Sequence, residues 1–263
     1  MTSIRQLLRW LGLKLLPPLV AAIVLLVVWD LAVRIFDIKN FIAPSPGEMV
    51  EAMLTDRVVL MKACWLTGRA AVGGLGLSIL IGTAVGVLFA KSTLLRRGLY
   101  PYAIFLQTVP VVAFAPLLVL WIGYGVASVI AVTFVLSLFP IITNVTVGML
   151  AVPKTYHELF TLHSATGWQR FWKLQFPFTI PHLITGIKVS SGLATIGAIV
   201  GEYFVGHGAD GLGLGFMIRQ AVDMNRTERL FAVVLLSTLL GVGLFSITNI
   251  LADTVLKRWC RYD

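Results

Sequence analysis

The chain has 263 residues, 58% of them hydrophobic and only 13% charged, with a mean hydropathy of +0.90 and a net charge of +9. So few polar side chains cannot cover a water-facing globule of this size, which excludes a soluble globular protein and places the chain in a bilayer. The basic residues are spread over short segments rather than gathered in one patch, so no nucleic-acid partner is expected.

A transmembrane helix needs about 20 mostly apolar residues. Runs of that kind predict an all-α polytopic protein with spans over 15–35, 68–90, 100–122, 127–150, 183–205 and 229–252, forming one transmembrane domain over 1–263. The first span follows Arg5, Arg9 and Lys14. Its apolar run continues to about Ala32, too long for a secretory signal, and no small-x-small cleavage site follows. The second carries Gly73, Gly74, Gly76, Gly82 and Gly86, which permit close helix packing.

Gly98 to Pro153 contains no Asp, Glu, Lys or Arg, so this stretch crosses twice, turning at Trp121-Ile122-Gly123-Tyr124-Gly125. Inside the third span Pro110 and Pro116 each remove a backbone hydrogen bond. They are either structural kinks or the place where freed carbonyls, with Gln107 and Thr108, line a translocation path. Asn144, four residues after Pro140 in the fourth span, either bonds a neighbouring helix or lines that path.

Lys188 lies near the start of the fifth span, close enough to its end to snorkel. Glu202 lies near its other end, before Gly206-His207-Gly208-Ala209-Asp210-Gly211-Leu212-Gly213. The carboxylate either closes an external gate, pairs with Arg219, or sits solvated at a loop edge.

Basic residues favour cytoplasmic loops. An inside N-terminus collects Arg5, Arg9, Lys14, Lys91, Arg96, Arg97, Lys154, Arg170, Lys173, Lys257, Arg258 and Arg261 on one side, so both termini are expected in the cytoplasm. Cys64 and Cys260 then fall on opposite faces and cannot pair. His157, His163, His182 and His207 form no metal constellation, and no G-x-x-x-x-G-K-[ST], nucleophile elbow or H-E-x-x-H is present. No catalytic, cofactor or metal site is therefore expected.

Residues 151–182, between the fourth and fifth spans, read as two short helices. Thr155-Tyr156-His157-Glu158 and Thr166-Gly167-Trp168-Gln169 both have the form of a capping box. Pro177 and Pro181 are expected to stop the second helix before the fifth span begins. Trp168, Phe171, Trp172 and Leu174, with Arg170 and Lys173 between them, give this helix an aromatic face suited either to headgroups or to a partner protein.

The stretch Glu158-Leu159-Phe160-Thr161-Leu162-His163-Ser164, with Leu174-Gln175-Phe176-Pro177, resembles the EAA signature of ATP-binding-cassette importer permeases, E-A-A-x3-G-x9-I-x-L-P. Glu158 and Pro177 fall in register, whereas Leu159 and Phe160 replace two small residues and Ser164 replaces the glycine. Thr108-Val109-Pro110, Pro116 to Gly123, Phe139-Pro140 with Asn144, and Gly201-Glu202 with Gly211-Leu212-Gly213 resemble the subfamily for taurine, alkanesulfonate, nitrate and thiamine- or riboflavin-precursor import. Leu193 to Glu202 is most similar to the pyrimidine and vitamin-precursor branch.

The resemblance implies a cytoplasmic coupling helix that contacts an ATPase through Glu158, Ser164, Ala165, Trp168, Phe171, Trp172 and Pro177, and a path involving Gln107, Thr108, Pro110, Asn144 and Glu202. It implies a non-enzymatic permease in the bacterial inner membrane, a homodimer with two ATP-binding subunits and a periplasmic or lipid-anchored binding protein. ATP is used by the partner, and the permease holds no cofactor. An ion-coupled secondary transporter is the rival reading; it predicts buried acidic or histidine relays and paired broken helices, and the uncharged 98–153 stretch counts against it.

Overall fold

The computed structural model describes residues 4–205 and 212–259, with side chains from 16 to 254 apart from 18 and 19. The described residues are helical, with no strand. They divide into two compact units: Met1–Arg57 with Gln220–Val234, and Val58–Arg219 with Leu235–Asp263.

The first unit contains α1 (Ile4–Ile35), α2 (Pro46–Thr55) and the residues around the start of α11 (Thr227–Trp259). α2 begins on a capping box that the sequence reading missed: Ser45 accepts from the Glu48 N–H, Glu48 accepts from the Ser45 N–H, and Pro46 fills the first helical position. Arg229 pairs with Asp56 at 2.9 Å, Thr227 donates to the Phe41 carbonyl at 3.0 Å, and Trp29 meets Phe231 at 5.6 Å between centroids.

The second unit holds α3 (Arg57–Lys91, from Val58 on), α4 (Thr93–Thr108), α5 (Val111–Ile122), α6 (Val126–Leu150), α7 (Lys154–Leu162), α8 (Gly167–Arg170), a π turn (Phe171–Gln175), α9 (Phe176–Val205), the first turns of α10 (Leu214–Asp223) and most of α11. Its centre is the packing of α6 on α9. Small residues make that approach possible, because helices in lipid associate through close backbone contact and polar bonds rather than hydrophobic exclusion. A Cβ at Gly197 would lie 2.7 Å from Thr133 Cα, and one at Gly186 would lie 3.1 Å from the Pro140 carbonyl oxygen. Ser190 donates across the seam to the Ser137 carbonyl at 2.7 Å.

α3 meets α6 through Gly74, Ser78, Gly82 and Gly86, one residue per turn, with Ser78 donating to the Phe134 carbonyl at 2.8 Å. The expected packing role fails at Gly76, where an added Cβ would meet nothing within 4 Å, and Gly73 touches only the Ile130 side chain.

Among the described residues four stretches are long and apolar enough to cross a membrane: Arg57–Lys91, Val126–Leu150, Gly167–Val205 and Thr227–Thr254. The predicted third span, 100–122, is not straight. α4 and α5 together pass the same test but meet at 102° across Val109 and Pro110, so they make either a broken span or a re-entrant loop. Proline fixes φ and lacks an N–H, and at Pro110 the helix ends rather than merely kinking. The predicted turn after it is present, with Gly123 at φ 98 and Gly125 at φ 140, conformations that favour glycine.

The expectation that Pro177 and Pro181 end a short helix is also corrected. α8, the π turn and α9 form one element of 39 residues, Gly167–Val205, and both prolines lie inside it. Pro177 occupies the first turn after the π turn, where the Phe176 N–H reaches back five residues to the Phe171 carbonyl, so the regular four-residue ladder is already interrupted when the proline arrives.

A candidate coupling surface and translocation path

α7 starts at Lys154 with Pro153 as its N-cap and no side-chain cap, so Thr155 sits inside the helix and the first expected capping box is not formed. The second is: Thr166 accepts from the Gln169 N–H at 3.3 Å, and the Gln169 side chain accepts from the Thr166 N–H at 2.9 Å. Between the two helices Ser164 adopts φ 52, with Ser164 N–H donating to the Thr161 carbonyl and Ala165 N–H to the Phe160 carbonyl, the pair of hydrogen bonds of a Schellman turn. Ser164 occupies the glycine position of the EAA pattern, and its left-handed backbone is the conformation that glycine adopts most easily.

Arg170 fixes the two helices together by donating to the Thr161 hydroxyl at 3.1 Å. α7 has no buried residue; Glu158, Leu159 and Leu162 are exposed, Leu162 at 82%. Trp168 and Trp172 stand 70% and 47% exposed, whereas Phe171 is buried against Ile141, Val145 and Met149. The rings form a cluster, edge to face for Trp168–Trp172 at 5.6 Å and Phe171–Trp172 at 5.1 Å between centroids, and tilted for Trp172–Phe176 at 5.2 Å. The Lys91 ammonium lies 4.3 Å from the Phe171 ring centroid, a cation–π contact that the sequence reading did not foresee. Ala165 and Pro177 are half-buried. The segment is thus internally capped and anchored by Phe171, with two tryptophans left facing outward.

The path candidates separate into three places. Gln107, Thr108 and Pro110 are exposed at the bend between α4 and α5, where Thr108 donates to the Phe105 carbonyl at 2.8 Å. Asn144 is half-buried on α6 beside Gly186, and its amide donates to the Pro140 carbonyl at 2.8 Å, closing on its own helix. Glu202 is at the end of α9. No hydrogen bond among the described residues joins these three places.

Glu202 is buried, at 8% exposed, rather than solvated. Its Oε2 accepts from the Thr67 hydroxyl at 2.8 Å and from the Gly215 N–H at 2.9 Å, and the Thr67 hydroxyl accepts from the Leu214 N–H at 2.9 Å. Arg219 donates to the Tyr203 carbonyl. A Cβ at Gly213 would fall 2.1 Å from Glu202 Cδ, and one at Gly215 would fall 2.0 Å from the Ile199 carbonyl oxygen. Residues 206–211, which include His207, lie outside the described residues. The sequence reading missed Thr67 and Gly215; alternate glycines at 211, 213 and 215 were the available signal for the latter, and nothing local marks Thr67. Lys188 is paired with Asp253 at 3.4 Å on α11 rather than simply snorkelling.

Residues 78–259 match the family described as binding-protein-dependent transport system inner membrane component. The chain belongs to this family. It is 33% identical to the formylaminopyrimidine transport permease protein of Halalkalibacterium halodurans over 245 residues, covering 93% of this chain and 96% of that one. It is 31% identical to the riboflavin transport system permease protein of Chloroflexus aurantiacus over 244 residues, covering 91% and 88%. The inward-facing MetNI methionine ABC transporter shares the fold, with a TM-score of 0.62 at 20% identity over 77% of this chain and 97% of that chain. The protein is therefore a multi-pass inner-membrane permease of an ABC importer, a component that is not itself catalytic and that works with ATP-binding subunits and a substrate-binding protein.

Proposed function

We propose that this permease crosses the membrane six times with both termini in the cytoplasm, and that residues 1–263 form one transmembrane domain. It works as a homodimer with two ATP-binding subunits inside and a periplasmic or lipid-anchored binding protein outside. The solute is small and polar, a pyrimidine or vitamin precursor in preference to a sulfonate, taurine or nitrate, in keeping with the relatives named above. ATP is consumed by the partner subunits, and the permease carries no cofactor or metal of its own.

The observation that carries this reading is the capped segment from Lys154 to Gln175, which turns Trp168 and Trp172 outward on a fixed base. A surface already held in one geometry loses little entropy on docking. Glu158, Ser164, Ala165, Trp168 and Trp172 make the contact with the ATPase, while Phe171 and Pro177 hold the segment to the membrane helices. Closure of the two ATPases then moves the segment as a rigid body and switches the permease between inward-open and outward-open states. Gln107, Thr108 and Pro110, where two helix ends meet at the α4–α5 bend, line the solute path with Asn144, because irregular backbone within a membrane is stable where it borders a polar cavity. Glu202 stands at its outer end, where it joins α9 to the start of α10.

The test is co-purification of the permease with ATP-binding subunits from the same genome, followed by ATP hydrolysis with binding protein loaded with formylaminopyrimidine, riboflavin, nitrate or taurine. Trp172→Ala is expected to weaken ATPase association about tenfold, as for a tryptophan at the centre of an interface, and Glu158→Ala by less. Uptake driven by an ion gradient without any ATPase would make the secondary-transporter reading the correct one.

A further inference from the structure

Glu202 is a buried carboxylate with no lysine, arginine or histidine among its hydrogen-bond partners in the described residues. Both bonds to its Oε2 come from groups that hold the start of α10: the Gly215 N–H directly, and Thr67, whose hydroxyl also receives the Leu214 N–H. Around these bonds the backbone fit leaves no side-chain cushion. Gly213 lies against the Glu202 carboxyl group and Gly215 against the Ile199 carbonyl, while Leu214 and Met217 are fully buried. Opening such a joint strands polar groups away from water, which is costly.

The same carboxylate stands near the far end of the 39-residue helical element that begins at Gly167. At 1.5 Å per residue, about 50 Å separates it from the exposed Trp168.

We propose that Glu202 is a positioning residue of the transport cycle: with Thr67 it clasps the first turn of α10 to α9 and α3, so that displacement delivered at Trp168 and Trp172 is carried along one helix to α10. The proposal rests on the importer reading and adds to it the joint by which the outer end responds. The clasp stays shut throughout the cycle, and α10 moves because α9 moves. The carboxylate acts through its geometry as a double acceptor, and its charge does no work on the solute.

The test uses the intact complex in proteoliposomes, with the solute that wild type takes up among formylaminopyrimidine, riboflavin, nitrate and taurine. Glu202→Ala lowers uptake about tenfold or more, whereas Glu202→Gln, whose amide oxygen can accept both bonds, retains most of it. Thr67→Val behaves like the alanine variant and Thr67→Ser like wild type, which keeps the test decisive if Glu202→Ala does not fold. Hydrogen exchange of the 212–219 peptide, read on the permease alone and on the complex, is slow in wild type with and without trapped nucleotide, slow in Glu202→Gln and fast in Thr67→Val.

The proposal is overturned if Glu202→Gln is as impaired as Glu202→Ala while this peptide stays protected, since the charge would then be what matters. It is equally overturned if Thr67→Val transports at the wild-type rate, or if nucleotide trapping exposes the peptide in wild type. Exchange on the permease alone reports on the clasp without the ATPase, and ATP-driven uptake by wild type reports on the importer reading, so the two can fail separately.

Discussion

The element from Gly167 to Val205 meets its surroundings differently at its two ends. At the amino-terminal end a side-chain cap, an arginine bond and a left-handed serine hold a surface that faces outward, and an added Cβ at Gly167 would meet nothing within 4 Å. At the carboxyl-terminal end a buried carboxylate and two glycines join three helices with no free volume. One end keeps its polar bonds local and spends its large side chains on exposure; the other makes polar bonds across 135 positions of sequence and uses small residues for contact. The first arrangement leaves a surface open to a separate chain, and the second suits a permanent joint within this one.

Matched substitutions at the two ends sharpen this contrast. Gly215→Ala places a methyl group 2.0 Å from the Ile199 carbonyl oxygen, so it is expected to destabilise the folded permease by about 3 kcal/mol, the upper range for overpacking a close contact. Thermal unfolding of the detergent-purified protein reads the loss, and an unchanged midpoint would show that the joint has slack. Thr166→Ala removes the cap of α8 and is expected to cost about 1 kcal/mol in the same measurement. The smallest effect has the opposite sign: Gly167→Ala is expected to stabilise by about 0.5 kcal/mol, because the space is open and alanine has less backbone freedom to lose. A large loss at Gly167 would mean that this end is as tightly fitted as the other.

How far the sequence disclosed each end follows from the range of the interactions that build it. The Thr166–Gln169 box was legible because both bonds join residues three apart. The parallel expectation at Thr155 failed because Pro153 already sets the helix start two residues earlier, and its fixed φ suits a residue entering a helix. The rule for soluble helices makes Pro177 and Pro181 stops, whereas a π turn and membrane surroundings let the helix pass them. The break at Pro110 was signalled as a kink, but its 102° angle depends on tertiary packing that local sequence does not encode. The glycines of α3 were legible as a packing set, but which of them face a neighbour depends on the path of α6. Glu202 stood out as an acidic residue near the end of a span, yet its partner Thr67 lies on another helix with no local motif around it.

The π turn from Phe171 to Gln175 also sets an angle. Each such turn amounts to one residue inserted into an α-helix, and one residue is about 100° of rotation. The direction in which Trp168 points, relative to the face of α9 that carries Gly186, Ser190 and Gly197, is therefore fixed by a single residue of helical phase. Removing that residue would leave composition, apolarity and capping unchanged while swinging the tryptophan around the axis by more than a quarter of a turn.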